Sequence, residues 1–219
     1  MEKMNLVLLP GLMCDASLFR AQADALADVA HVVMIADLTL EDSISSLARE
    51  TLAQMPEGPC VVVGMSMGGY VAFEMIRQAP ERIQALCLLS TSADPETPEA
   101  TVGREQLMAL ADVDFPEALE TLLARMTQTD KTNRREVGGV FQSMAMGLGV
   151  EVLERQQQAI IARPDSRPTL AQIHCPTLVV TGRDDKIMPL AAQFRMAAAI
   201  VGVKMKVIDD CGHLVPLEQ

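Results

Sequence analysis

Short apolar runs alternate with longer amphipathic segments over most of the chain. The continuous apolar runs predict buried strands near residues 4–9, 31–35, 60–64, 83–89, 177–181 and 204–208. Apolar residues at helical spacing predict helices near residues 17–27, 43–55, 68–78 and 190–200. Apolar strands separated by helices are typical of a parallel sheet that is covered on both faces. We therefore predict an α/β fold with a mostly parallel sheet of about six strands.

The alternation of strands and helices stops between Ser90 and about Pro168. Turn-rich segments at residues 92–98 and 163–168 border this region. Between them, the pattern predicts helices near residues 100–111, 115–128, 132–146 and 149–162. We therefore predict a core formed by residues 1–91 and 169–219, with a helical insertion at residues 92–168.

Ser66 lies in the motif G-x-S-x-G, between a predicted strand and a predicted helix. Gly64 and Gly68 lack side chains, so the helix can pack close to the strand while a sharp turn presents the serine hydroxyl. The motif alone is equally compatible with an ordinary glycine-rich turn. Its meaning depends on whether partners for a nucleophilic serine occur elsewhere in the chain.

A candidate base follows the last predicted strand. His213 comes directly after Gly212 in the loop that follows residues 204–208. The two other histidines have positions typical of structural roles, since His31 begins a strand and His174 precedes a Cys-Pro pair. His213 is therefore the predicted general base.

Candidate acids lie in the loop that follows a predicted strand. Asp184 and Asp185 follow the strand at 177–181. A serine, an acid and a histidine thus occur in the chain order used by hydrolases with a nucleophile elbow.

Four motifs in this order resemble those of the α/β-hydrolase superfamily, over nearly the whole chain. They are residues 8–11 (LLPG), the elbow around Ser66, residues 182–189 (GRDDKIMP) and Gly212-His213. The resemblance implies the α/β-hydrolase fold, with Ser66 as nucleophile and His213 as base. The acid occupies the fourth position of the family pattern G-x-x-D-x-x-x-P, which is Asp185. Asp184 remains an alternative, and so does Asp94, because some family members place the acid after the sixth strand, where this chain has Asp94.

The resemblance also implies an oxyanion hole and a cap. The two oxyanion donors are the backbone N–H groups of Leu12 and Met67. The family often has His-Gly in the first of these loops, where this chain has Pro10-Gly11. The helical insertion lies where the family inserts a cap over the substrate. Four methionines are candidates either for the pocket or for the interior of the cap: Met108, Met126, Met144 and Met146.

The implied activity is hydrolysis of a small to medium carboxylic ester or thioester through an acyl-enzyme. One alternative is C–C bond hydrolysis of ring-cleavage products with the same triad, because the Gly-Arg-Asp-Asp loop is similar in those enzymes. Another is a ligand receptor or signalling protein that keeps the hydrolase fold. The chemistry needs no cofactor and no metal, and five cysteines without a C-x-x-C pair suggest neither a disulfide framework nor a zinc site. Cys14 and Cys211 are expected near the mouth of the site, where we hypothesise that they are open to alkylation.

Charge and hydropathy limit the partners. A formal net charge of −11 disfavours nucleic acid and anionic membrane surfaces. No apolar run reaches the roughly 20 residues of a membrane span, and the first residues show no signal-peptide pattern. We expect a cytoplasmic protein that acts on a small molecule. Only six residues follow His213, where the family has a final helix, and an exposed sheet face there would favour a homodimer over a monomer.

Two further charged segments allow alternative interpretations. The basic cluster at residues 131–135 is interpreted as a solvated face rather than as a steering site for an acidic partner. Arg163 and Asp165 lie near the predicted junction of insertion and core. They either pair with each other or leave Arg163 facing the substrate.

Overall fold

The computed structural model describes residues 3–127 and 131–219, and it describes residues 131–135 only as helical backbone. The side chains of the predicted basic cluster therefore lie outside the described part of the chain. No helix within the described residues combines the length and the apolar character needed to cross a bilayer.

Six strands form one parallel sheet in the order β2-β1-β3-β4-β5-β6. The strands are β1 Met4–Leu9, β2 Ala30–Ile35, β3 Cys60–Met65, β4 Ile83–Leu89, β5 Thr177–Gly182 and β6 Lys204–Ile208. Each lies within one residue of its predicted bounds. The central strands β1, β3 and β4 are largely buried, which is why they are apolar nearly throughout. The predicted α/β class, with a mostly parallel sheet of about six strands, is confirmed.

Ten α-helices lie in the described part of the chain. They are α1 Arg20–Leu26, α2 Ile44–Gln54, α3 Met67–Gln78, α4 Pro98–Val113, α5 Phe115–Met126, α6 Lys131–Leu148, α7 Val150–Ile161, α8 Arg167–Leu170, α9 Leu190–Ala198 and α10 Val215–Glu218. The helix predicted at 17–27 is divided into a 3₁₀ turn at Ala16–Phe19 and α1, because the Asp15 side chain accepts the Ser17 N–H and starts the tighter turn first. The four-residue helices α8 and α10 are additions to the predicted set, since periodicity does not indicate such short elements.

Helices α4 to α7 occupy the chain between β4 and β5. Two of them begin at side-chain caps, where Thr97 accepts the Ala100 N–H and Asp114 accepts the Glu117 N–H. Phe141 of α6 is fully buried. It belongs to the same apolar cluster as the residues of the sheet, so the insertion packs continuously on the core.

Helix α3 approaches the sheet so closely that three glycines on its path leave no room for a side chain. A Cβ atom on Gly68 would overlap the carbonyl oxygen of Leu9 in β1, and one on Gly69 would overlap the Thr91 side chain. A Cβ atom on Gly64 would lie 2.6 Å from the Gly68 carbonyl oxygen. These contacts fix the start of α3 against the carboxyl ends of the central strands, which is where Ser66 lies.

Gly68→Ala is expected to destabilise the protein, because backbone atoms of β1 must move to admit the methyl group. Overpacking of this kind costs about 1–3 kcal/mol in the free energy of unfolding. Gly139→Ala is the matched control, since its added methyl group meets no atom within 4 Å on α6 and removes chain entropy from the unfolded state. Urea denaturation should show a loss for the first variant and a gain of about 0.5–1 kcal/mol for the second. Equal effects of the two substitutions would contradict this account of the close approach.

Candidate active site

Ser66 joins β3 to α3 in a backbone conformation that L-residues rarely adopt. Its φ is 52° and its ψ is −112°. Strain of this kind costs of order 1–3 kcal/mol and persists only where the surrounding structure enforces it. Here the Ser66 N–H donates to the Leu89 carbonyl at 2.9 Å, and the Ser66 carbonyl accepts the Thr91 hydroxyl at 2.8 Å and the Gly69 N–H at 2.9 Å. Hydrogen bonds to the end of β4 and to α3 therefore hold the turn that carries the serine.

His213 lies between Ser66 and Asp185, fully buried in the loop after β6. Its Nε2 is 2.9 Å from Ser66 Oγ, and its Nδ1 is 2.9 Å from Asp185 Oδ2. A carboxylate only accepts hydrogen bonds, so the network assigns the proton of the neutral ring to Nδ1. Nε2 is then an acceptor for the Ser66 hydroxyl. The three side chains form one continuous line of hydrogen bonds from carboxylate to hydroxyl.

The Asp185 carboxylate is fixed by its own loop. Its Oδ1 accepts the N–H groups of Ile187 at 2.9 Å and Met188 at 2.8 Å, which leaves Oδ2 for His213. The competing acids lie elsewhere: the Asp94 carboxylate pairs with Arg195 at 3.1 Å, and the Asp184 N–H donates to the Cys211 carbonyl at 2.9 Å. Of the three predicted candidates, Asp185 is the one whose carboxylate contacts His213.

A second carboxylate, that of Glu218 in α10, organises the loop around His213. Its two oxygens accept the Gly212 N–H at 2.9 Å and the Leu214 N–H at 3.0 Å, on either side of the histidine. The His213 N–H itself donates to the Met126 carbonyl at the end of α5, at 2.8 Å. The sequence reasoning missed Glu218. The available signal was an acidic residue five positions after His213, directly after the apolar residues 214–217.

The two predicted oxyanion donors lie on opposite sides of Ser66. A Cβ atom on Gly11 would be 3.5 Å from Ser66 Cβ, so the loop after β1 runs directly beside the serine. Met67 is the first residue of α3, where a backbone N–H has no partner within the helix. Within residues 3–127 and 131–219, neither the Leu12 nor the Met67 N–H donates to a protein acceptor. The assignment of these two amides as oxyanion donors stays a prediction that their positions next to Ser66 support.

A residue from the insertion holds the first of these loops. Met13 has a φ of 55°, and its N–H donates to the Oε1 of fully buried Gln156 at 2.9 Å. The Nε2 of Gln156 donates to the Leu38 carbonyl at 2.9 Å, in the segment after β2. Gln156 belongs to α7, which no sequence pattern links to the loop after β1. The insertion therefore contacts the loop after β1 and the segment after β2 through this one side chain.

A cavity of about 130 Å³ opens above Ser66 and His213, between the core and the insertion. Apolar side chains form most of its wall, namely those of Leu12, Leu107, Leu122, Met126, Ile160, Ile187 and Met188. Of the four methionines considered from the sequence, Met126 lines this cavity, whereas Met144 is buried beside a different groove and Met146 is 52% exposed. The polar part of the wall includes Tyr70 and Arg104.

Arg163 and Asp165 do not pair with each other. Arg163 forms an ion pair with Glu96, and its guanidinium lies 4.6 Å from the centre of the Tyr70 ring. Asp165 pairs with Arg167 at 2.6 Å. Arg163 is therefore not itself a lining residue of the cavity, but it contacts the ring of Tyr70, which is one.

The thiols of Cys14 and Cys211 are both buried, with 3% and 0% of their surface exposed. Burial raises the pKa of Cys14 to about 12, with a smaller contribution from the charge of Asp15. Burial likewise raises the pKa of Cys211 to about 12, helped by the charge of Glu218. Burial and the raised pKa argue against the hypothesis that these thiols are open to alkylation, because little reactive thiolate is present.

Comparison with known sequences gives one family and several relatives. A model described as the alpha/beta hydrolase family matches residues 6–219. A pimeloyl-[acyl-carrier protein] methyl ester esterase of Aromatoleum aromaticum is 28% identical over 184 residues, which cover 74% of this chain and 70% of that protein. A 2-hydroxy-6-oxononadienedioate/2-hydroxy-6-oxononatrienedioate hydrolase of Klebsiella pneumoniae is 29% identical over 164 residues, which cover 69% of this chain and 55% of that protein. The chain thus spans less than two thirds of the second relative.

Solved structures resemble the whole of the described fold. An esterase of Thermogutta terrifontis superposes with a TM-score of 0.87 at 28% identity, and the match covers 100% of this chain and 85% of that one. An enol-lactonase of Burkholderia xenovorans superposes with a TM-score of 0.82 at 23% identity, over 98% of this chain and 85% of that one. Because the enol-lactonase is only 23% identical, its similarity to this chain shows the fold alone.

In the native protein, Cys14 and Cys211 are expected to resist iodoacetamide at pH 8. With a pKa of about 12, only about one thiol in ten thousand is ionised at that pH. Mass spectrometry after a timed reaction should find both unmodified while partly exposed Cys175 is modified first. All five cysteines should react in urea, which serves as the control. Rapid native labelling of either buried cysteine would contradict the structure around it.

Glu218→Ala is expected to lower the free energy of unfolding by about 1–3 kcal/mol, because two buried amides lose a charged acceptor. Amide hydrogen exchange at Gly212 and Leu214 should become faster. Gln219→Ala is the control, since its side chain donates only to the Asp210 carbonyl at the surface, and it should change stability by less than about 0.5 kcal/mol. Unchanged exchange at Gly212 and Leu214 would show that the carboxylate does not hold the loop.

Proposed function

Because the chain belongs to the alpha/beta hydrolase family, we propose that it is a serine hydrolase of a small to medium carboxylic ester or thioester. One observation carries this proposal. The Ser66 hydroxyl, the His213 ring and the Asp185 carboxylate form a continuous line of 2.9 Å hydrogen bonds at the wall of a largely apolar cavity. The similarity to the esterases of Aromatoleum aromaticum and Thermogutta terrifontis supports an ester as the bond that is cleaved.

In the first half of the reaction, Ser66 Oγ attacks the carbonyl carbon of the substrate. His213 Nε2 accepts the hydroxyl proton, and Asp185 stabilises the resulting imidazolium through Nδ1. The carbonyl oxygen becomes an oxyanion, which the N–H groups of Leu12 and Met67 bind. The alcohol or thiol then leaves with the proton from His213, and an acyl group remains on Ser66.

In the second half, water replaces the leaving group. His213 removes a proton from the water as it attacks the acyl carbon, and the tetrahedral intermediate uses the same two amides. Collapse releases the acid and returns the proton to Ser66. Each amide is worth on the order of a hundredfold to a thousandfold in turnover, so the positions of the loops matter as much as the triad.

The helical insertion acts as the cap in this proposal. Residues of α4, α5 and α7 form the side of the cavity that faces Ser66. A cavity of about 130 Å³ between them and the core favours a short acyl group over a long chain. The cap therefore selects the substrate while the core supplies the reacting groups.

C–C bond hydrolysis is the second candidate. The similarity to the Klebsiella pneumoniae hydrolase favours it, as does the Gly-Arg-Asp-Asp sequence of the loop that carries Asp185. The same three side chains and the same two amides would serve that reaction. Simple aryl esters should be poor substrates if this is the main activity.

Ser66→Ala is expected to abolish hydrolysis of p-nitrophenyl esters from acetate to octanoate. The loss in kcat should be at least about a thousandfold, because the nucleophile is removed. Ser143→Ala, at an exposed serine of α6, is the matched control and should keep native kinetics. The optimum of kcat/KM is expected among the shorter acyl chains. If the native protein hydrolyses none of these esters while a fluorophosphonate still labels Ser66, the esterase proposal fails and C–C hydrolysis is favoured.

A further inference from the structure

The hydroxyl of Tyr70 is buried beside Ser66 without a hydrogen-bond partner. Tyr70 lies four residues after Ser66, one turn along α3, and lines the cavity that contains Ser66 and His213. The residue is 3% exposed, and its Oη has no partner within the described part of the chain. A buried hydroxyl left unpaired costs about 1–3 kcal/mol, so a bound ligand is the natural source of its partner.

The side of the cavity that adjoins Tyr70 carries an excess of positive charge. Glu96 forms ion pairs with both Arg104 and Arg163, so two guanidinium groups share one carboxylate. Arg104 also donates through Nη1 to Gln157 at 2.8 Å, a neutral partner, and its Nη2 is not used in these contacts. The cluster keeps one uncompensated positive charge where Arg104 lines the cavity.

Other charged groups do not remove this excess. Glu99 and Arg125 also line the cavity, but both are exposed and of opposite sign. The negative charge of Asp185 also acts on Tyr70, but more weakly than the charges of Arg163 and Arg104. Its carboxylate lies behind His213, where it accepts two backbone N–H groups and the ring Nδ1–H. The whole chain has a net charge of −11, so the positive charge at Arg104 is specific to this side of the cavity.

The Tyr70 hydroxyl is a donor at neutral pH. Burial raises its pKa, and the nearby charges of Arg163 and Arg104 oppose this shift. A neutral O–H group beside two cations directs its hydrogen away from them, toward an electron-rich acceptor. A carboxylate meets both requirements, because it accepts from the hydroxyl and matches the planar edge of a guanidinium.

We infer that Tyr70 and Arg104 form a subsite for a free carboxylate on the substrate. The inference rests on the proposed hydrolase function and narrows it: the preferred substrates are half-esters of short dicarboxylic acids, with the ester carbonyl at Ser66 and the second carboxylate at this subsite. Ser66 and Tyr70 are one helical turn apart, which is about 6 Å along α3. This separation suits an acyl chain of about four to six carbons. Arg163 is a positioning residue that supports the Tyr70 ring from behind.

The test compares two esters of equal size with native and variant protein. Monomethyl glutarate carries the free carboxylate, and the methyl ester of glutaramic acid carries a neutral amide in its place. The native protein should favour the acid over the amide by at least tenfold in kcat/KM. Tyr70→Phe keeps the ring and should reduce this ratio by about tenfold to a hundredfold, mainly through KM, because the lost hydrogen bond is made in the ground state as well. Arg104→Gln should reduce the ratio similarly.

Arg167→Gln is the matched control, since Arg167 is exposed and pairs with Asp165 outside the cavity. It should leave the ratio unchanged. Equal cleavage of acid and amide by a native protein that hydrolyses p-nitrophenyl acetate would overturn the subsite and leave the hydrolase proposal intact. Absence of hydrolysis of every ester would instead overturn the proposed function.

Calorimetric titration with glutarate keeps the subsite testable without turnover. Glutarate should bind Ser66→Ala protein, and adding Tyr70→Phe should weaken the Kd by about tenfold or more. Glutaramate should bind more weakly than glutarate. Equal affinity for the two compounds, or no effect of Tyr70→Phe, would overturn the subsite even if the esterase activity fails.

Discussion

The arrangement of the site depends on one steric constraint, the close approach of α3 to the carboxyl ends of β1 and β3. Side chains are absent at Gly64 and Gly68 because backbone atoms occupy the space that they would need. The same approach forces Ser66 to a φ of 52° and aligns the first amide of α3 beside it. A serine on an ordinary turn would keep its hydroxyl but lose the neighbouring amide. The strain at Ser66 is thus inseparable from the geometry of the proposed oxyanion hole.

The insertion does more than cover the cavity, since it supplies hydrogen bonds to the loops on both sides of Ser66. The Met126 carbonyl receives the His213 N–H, and the Gln156 side chain receives the Met13 N–H. A third contact places Arg163 over the Tyr70 ring. Residues of α5, of α7 and of the segment after α7 therefore contact His213, the loop of one proposed oxyanion donor and the proposed carboxylate subsite. The insertion thus contacts both the cavity and the loops around Ser66 and His213.

The strands, most helices and the proximity of Ser66, His213 and Asp185 were predictable because local sequence determines them. Apolar runs give the strands, glycines mark the elbow, and strand ends in a parallel sheet place loop residues together. The family resemblance chose Asp185 over Asp184 and Asp94, and the structure places that side chain against His213. Other contacts could not be predicted from the sequence. Gln156 meets Met13 across 143 residues, and the Met126 contact uses a carbonyl that every residue type has. The free hydroxyl of Tyr70 is visible only when its surroundings are known.

The order of these parts along the chain has a consequence for folding. Ser66 and the loop after β1 belong to the first third of the sequence, but Ser66 meets its base across 147 residues, and Gln156 reaches Met13 only from the fourth helix of the insertion. Contacts that close such long loops cost much chain entropy and tend to form late. The pairing of β4 with β5 closes a long loop of the same kind, so the sheet is complete only when the whole insertion has been spanned. The Ser66–His213 contact also needs the last segment, which Glu218 holds through Gly212 and Leu214. Secondary structure content alone therefore does not report whether this contact has formed.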